Sequence, residues 1–168
     1  MCSDRRAALG GLAAALALAG CGFEPLYAPA GPAAAAAGRV SVAVIPGTVG
    51  FAMRERLVER LGPEAAPTHR LAVALDLRTE GIALTQRDVT NRFDVIAVAT
   101  WSLTPLGDDR PALRGTERAT TGYSAPAKDT ASAFAILAAE RDAERRAALV
   151  LAERIAARIA LAAPDWAA

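Results

Sequence analysis

Between His69 and Thr79 every second residue is apolar. Leu71, Val73, Leu75 and Leu77 point one way, and Arg70, Ala72, Ala74, Asp76 and Arg78 point the other. A period of two is that of a strand with one dry face and one wet face. Strands buried on both faces, as in parallel sheets enclosed by helices, read instead as continuous apolar runs. The pattern therefore asks for an antiparallel or mixed sheet covered on one side only.

The neighbouring segments extend that sheet. Val40, Val42 and Val44 alternate with Ser41 and Ala43 and stop at Pro46-Gly47, which predicts a short first strand. Gly81 interrupts the pattern of the second strand. From Ile82 to Leu103 the chain keeps β character, with Phe93, Val95, Ala97, Ala99, Trp101 and Leu103 on one face. Residues 82–89 read equally as strand or loop. Gly107-Asp108-Asp109 is a turn, because Gly and Asp supply the backbone freedom and local hydrogen bonds a reversal needs. Leu113 to Tyr123 is a further, Thr-rich strand carrying Arg114 and Arg118.

Two segments have helical period. Phe51, Leu57, Val58 and Leu61 fall on one face of a helix of about three turns, stopped by Gly62-Pro63. From Asp129 to about Ala163, Ile136, Ala139, Ala143, Ala147, Leu151, Ile155 and Ile159 form a stripe that can lie along a sheet. Asp129 or Thr130 can cap this helix. Asp142 and Arg146 have the i,i+4 spacing of an ion pair on a solvated face. The order β-α-β-β-β-α predicts an α+β fold: an antiparallel or mixed sheet of about four strands with two helices packed on one face, the other face open.

Composition narrows the function classes. Hydrophobic residues are 53 % of the chain but aromatics only 5 %, so the core is built from Leu, Val, Ile and closely approaching Ala. Residues 1–20 hold Asp4, Arg5 and Arg6; without them the 19 basic and 18 acidic residues fall to equal numbers. A neutral chain is not a general nucleic-acid binder. The two cysteines are Cys2 and Cys21, and His69 is the one histidine. Once the leader is removed no disulfide is possible, and no metal site is expected. No Gly-x-Ser-x-Gly or His-Glu-x-x-His pattern occurs, so an enzyme is not expected. His69 reads as a surface or edge histidine, and Asp108-Asp109 as turn chemistry.

Residues 1–20 read as a secretory signal. Arg5 and Arg6 form a charged start, and Ala7 to Ala19 an apolar stretch too short to span a bilayer. Leu18-Ala19-Gly20-Cys21 resembles the lipobox of bacterial lipoproteins. That resemblance implies a thiol carrying diacylglycerol, cleavage before Cys21 and acylation (palmitate) of the new amino group. Several acyl chains give stable anchoring at ~0.8 kcal/mol per buried methylene. Gly22, rather than Asp, after the cysteine favours the outer membrane. Residues 21–38 then read as lipid anchor and flexible tether, rich in Pro, Gly and Ala, and residues 39–168 as one domain.

The junction Leu18-Ala19-Gly20-Cys21-Gly22-Phe23-Glu24-Pro25-Leu26-Tyr27 resembles that of the LptE family. So do the Trp101-to-Tyr123 hairpin with Gly107 at its turn and Gly115 after it, and the run from Phe134-Ala135 through Ala143 to Leu151-Ala152 and Ile155. The chain departs from the family in Ser124-Ala125-Pro126-Ala127-Lys128, where a Ser/Tyr-rich segment is usual. The resemblance implies an outer-membrane lipoprotein at the periplasmic face that plugs the LptD β-barrel and assists lipopolysaccharide transport to the outer leaflet. It implies no cofactor and no metal. The phosphates of lipid A would meet basic groups on exposed strands, and Arg78, Arg87, Arg92, Arg114 and Arg118 are the candidates. The alternative reading is an auxiliary lipoprotein of another ABC-type envelope lipid transporter; a wall-binding structural lipoprotein lacks any supporting pattern.

Overall fold

The structure is a computed structural model of the 168-residue chain. It describes residues 26, 28, 31–84, 90–125 and 133–167. Cys21, Asp129, Thr130 and residues 85–89, Arg87 among them, lie outside these residues.

Among the described residues the elements are α1 (Pro32–Ala36), β1 (Val40–Val42), α2 (Gly47–Leu61), β2 (His69–Leu84), β3 (Thr90–Pro105), β4 (Leu113–Ser124), α3 (Ala133–Leu161) and α4 (Ala163–Trp166). The four strands form one sheet in the order β1-β2-β3-β4. β1 runs parallel to β2, because α2 carries the chain back between them. β2, β3 and β4 are antiparallel neighbours. The sheet is therefore mixed, and the helices pack against it as the α+β pattern required.

The alternation sets the two faces. Leu71, Val73, Ala97, Ala99, Trp101, Leu103 and Ala119 are buried on the helix side. In register with them, Leu71 pairs Leu103, Val73 pairs Trp101, and Ala97 pairs Ala119. Above them α3 buries two rows, Ala143, Ala147, Leu151, Ile155 and Ile159, and beside them Ala148, Ala152, Ala156 and Ala160. Small side chains in both the sheet and the helix let the backbones approach closely, so a core poor in aromatics is still filled. The pair Asp142–Arg146 forms, as the spacing predicts.

Several expectations are corrected. β1 ends at Val42; Val44 is 83 % exposed, and the next inward side chain is Ile45, packed at Gly50. α2 starts at Gly47, and its buried face is Gly50, Met53, Leu57 and Leu61. Phe51 is 60 % exposed rather than core, since it lies one residue, about 100° of helix, from that face. Within the segment read as a tether, α1 is folded onto the domain. Its Ala36 is buried, Ala33 N–H donates to Leu26 O at 3.1 Å, and Gly38 N–H donates to Leu61 O at 3.0 Å. Ile82–Leu84 belong to β2, past a register shift between Gly81 and Ala83.

His69 is neither a surface nor an edge residue. β2 is an interior strand, and His69 is 8 % exposed. The Trp166 ring stands edge-on to it at 4.8 Å, and its Nδ1 lies 2.9 Å from Thr68 Oγ1. α4 supplies that cover: Trp166 Nε1 donates to Ile159 O at 3.0 Å, and Arg39 donates to Ala167 O. Burial first, and the nearby Arg39 charge second, hold the imidazole below its ordinary pKa.

Candidate functional site: the open sheet face and the interhelical groove

No element among the described residues covers the second face of the sheet. Its rows follow from the register. Arg78, Ile96 and Thr120 form one; Asp76, Val98 and Arg118 the next; then Ala74, Thr100 and Thr116, and Ala72, Ser102 and Arg114. Farther along, Arg92 faces Ser124 on the same side. The row between Arg78 and Arg92 is Glu80, Asp94 and Gly122, so the middle of this face is Ile, Val and Thr, and the margins carry arginine together with Asp76, Glu80 and Asp94.

The structure thus brings four of the five sequence-identified arginines, Arg78, Arg92, Arg114 and Arg118, to one exposed face. It does not bring them to one point. Arg114 and Arg118 are four residues apart on one strand, about 13 Å, and Arg78 lies two strands from β4, about 10 Å away. Arg78 Nε is also 3.1 Å from Asp76 Oδ2, a pair well exposed on both sides and screened accordingly. This spread suits a broad, multiply anionic partner better than a small ligand. Arg70 has the same parity and is exposed beside Thr104. Sequence reasoning placed it on the wet face without choosing it, and the same alternation that marked Arg78 could have found it.

A second feature had no sequence signal. α2, α3 and the middle of β2 together line a groove of about 1200 Å3. Leu75 and Leu77 line its floor, Val49, Phe51 and Leu149 its sides, and Glu55, Arg141, Glu144 and Arg145 its rim. The α3 turns leading to it carry Phe134 and Leu137, both exposed. Near that end α3 is tied to the sheet by Thr79 Oγ1, which donates to Glu140 Oε1 at 3.2 Å. Glu140 and Glu144 also act on Tyr123: burial most, then the Glu140 charge and hydrogen bond, then Glu144, raise its phenol above the ordinary value. Phe93 stacks on that ring at 5.2 Å.

The turn acids do turn chemistry. Asp108 Oδ1 accepts from Arg110 N–H at 3.0 Å, and Gly107 takes φ 93°. Among the described residues no three His, Cys, Asp or Glu side chains gather as a metal site, and no helix is long and apolar enough to cross a membrane.

A mixed four-stranded sheet, helices on one face and an open face opposite, is the architecture of a class of small lipoprotein domains. A solved lipoprotein from Caulobacter crescentus CB15 superposes with TM-score 0.60 at 23 % identity, over 79 % of this chain and 94 % of that one. A minor lipoprotein from Acinetobacter baumannii superposes with TM-score 0.54 at 14 % identity, over 73 % and 88 %. At such identities these two likenesses concern the fold alone. The family is fixed by sequence: the model of LptE, described as lipopolysaccharide-assembly, matches residues 37–159, and the chain belongs to that family. No curated protein matches the chain.

Proposed function

We propose that this chain is an outer-membrane lipoprotein, anchored at the periplasmic face through lipids on Cys21, that binds the LptD β-barrel as a plug and assists lipopolysaccharide insertion into the outer leaflet. Its work is binding and positioning, without catalysis. The match to the lipopolysaccharide-assembly family over most of the domain carries this reading. The domain organisation that goes with it is a leader over 1–20, an anchor and connecting segment over 21–38, and a single α+β domain over 39–168.

The surface chemistry supports it. Guanidinium groups bind phosphate well, and an open face edged by Arg78, Arg92, Arg114 and Arg118 offers several such contacts at once. The apolar groove over Leu75 and Leu77 offers acyl chains a place out of water on the other side of the sheet.

Lipopolysaccharide binding by the Arg92→Ala, Arg118→Ala double variant tests the role of the face. Both side chains are exposed, so loss of the pair should weaken binding roughly fivefold to thirtyfold, at ~0.5–1 kcal/mol per contact, and more salt should narrow the difference. Unchanged affinity removes these arginines from the account.

A further inference from the structure

Among the described residues, two buried side-chain polar atoms have no hydrogen-bond partner, Trp101 Nε1 and Glu117 Oε1. Both lie on the helix side of the sheet near the start of β4. Glu117 has partial compensation, since Arg158 Nε is 3.1 Å from the same oxygen as an ion pair. Trp101 has none, although it is only 4 % exposed. The other indole, Trp166, is satisfied by Ile159 O.

The position of the orphan N–H follows from Gly115. Trp101 and Gly115 are register partners, and a Cβ at 115 would stand 2.8 Å from Trp101 Cζ2 and 3.1 Å from Nε1. The bare glycine therefore lets the ring reach across β4 to the sheet margin. There a cleft of about 360 Å3 opens, lined by Trp101, Leu113, Arg114, Arg158, Leu161 and Asp165. A desolvated donor at the wall of such a cleft calls for an acceptor from outside.

The main chain beside the cleft is also open. β4 is an edge strand, and on it the carbonyls of Arg118 and Gly122 accept from Arg154 and, at 3.1 Å, from Arg146 of α3. Even-numbered residues of β4 thus turn their main-chain groups away from β3. Arg114 and Thr116 have the same parity, and among the described residues no such arginine cap is found on them.

We propose that this cleft is a binding site for a carboxamide side chain of a partner polypeptide laid along the β4 edge at Arg114–Thr116. The charges favour an amide over an anion: Arg158 is already paired with Glu117, and Asp165 stands in the same lining as Arg114. An amide offers what is missing, a C=O for the Trp101 N–H. The site shares Arg114 with the open sheet face, but its donor, Trp101 Nε1, lies on the helix side.

The two tryptophans make the test internal. Full-length protein carrying 15N-labelled tryptophan and amides is titrated, in detergent micelles, with a blocked Ala-Gln-Ala tripeptide, and separately with acetate and inorganic phosphate. The expected result is that the peptide shifts the Trp101 indole and Thr116 amide signals and leaves the Trp166 indole in place. Trp101→Phe should weaken the peptide about tenfold, the loss of one hydrogen bond to a desolvated group. No movement of the Trp101 signal with peptide, contact with water alone, or a larger response to acetate or phosphate would each overturn the proposal.

Discussion

Replacing Ala99 by leucine tests the reading that alanine brings α3 down onto the sheet. Ala99 is fully buried and pairs with Leu75, and the alanines Ala147, Ala148 and Ala152 belong to the same core. Leucine adds three heavy atoms where the covering element is a backbone held close by small side chains. Such overpacking costs about 1–3 kcal/mol. At about 4 °C per kcal/mol for a domain of this size, Tm should fall by roughly 4–12 °C. Ala74→Leu is the control, next in β2 to Leu75, the partner of Ala99, but on the open face beside Thr100. It should stay within about 0.5 kcal/mol of the parent. Thermal unfolding followed by circular dichroism, with both variants in the same detergent, reads the contrast. A neutral Ala99→Leu, or a larger loss at Ala74, would refute the assignment of faces and the close approach of the helix together.

Three further outcomes follow from the same structure. Because the folded His69 pKa lies below its unfolded value of 6.5, the unfolded chain binds the extra proton first as pH falls; stability should be flat above 6.5, decline below it and level off beneath the folded pKa, and His69→Gln should lose that slope in denaturant titrations across the range. Gly115→Ala sets a methyl 2.8 Å from the Trp101 ring and should cost about 1–3 kcal/mol by urea unfolding. Asp108→Ala removes one exposed turn hydrogen bond, so stability should change by no more than about 1 kcal/mol and lipopolysaccharide binding not at all.

The strands were legible because their two faces differ. Leu71 through Leu77 and Val95 through Leu103 alternate so regularly that parity alone assigned the core face and placed Arg78 and Arg92 opposite it; the face of Arg114 and Arg118 follows from the register of β4 with β3. The alanine and isoleucine stripe of α3 was legible for the same reason, at a different period. What failed was set by distant contacts. Alanine and proline from 28 to 38 have no period, and only the meeting with the ends of α2 and α3 makes α1 a helix. His69 is buried by Trp166, ninety-seven positions later in sequence, and nothing local announces it. The groove arises where α2, α3 and β2 meet, and the orphan Trp101 N–H from a ring lying across Gly115, neither of which leaves a pattern in the chain.

The central claim concerns what the domain works with. Gentle detergent extraction of membranes holding the tagged chain, followed by affinity purification and identification of stoichiometric companions, tests it most directly. The account expects one large β-barrel protein in equal amount, with lipopolysaccharide. Inner-membrane transporter subunits in its place, or no companion at all, would contradict it.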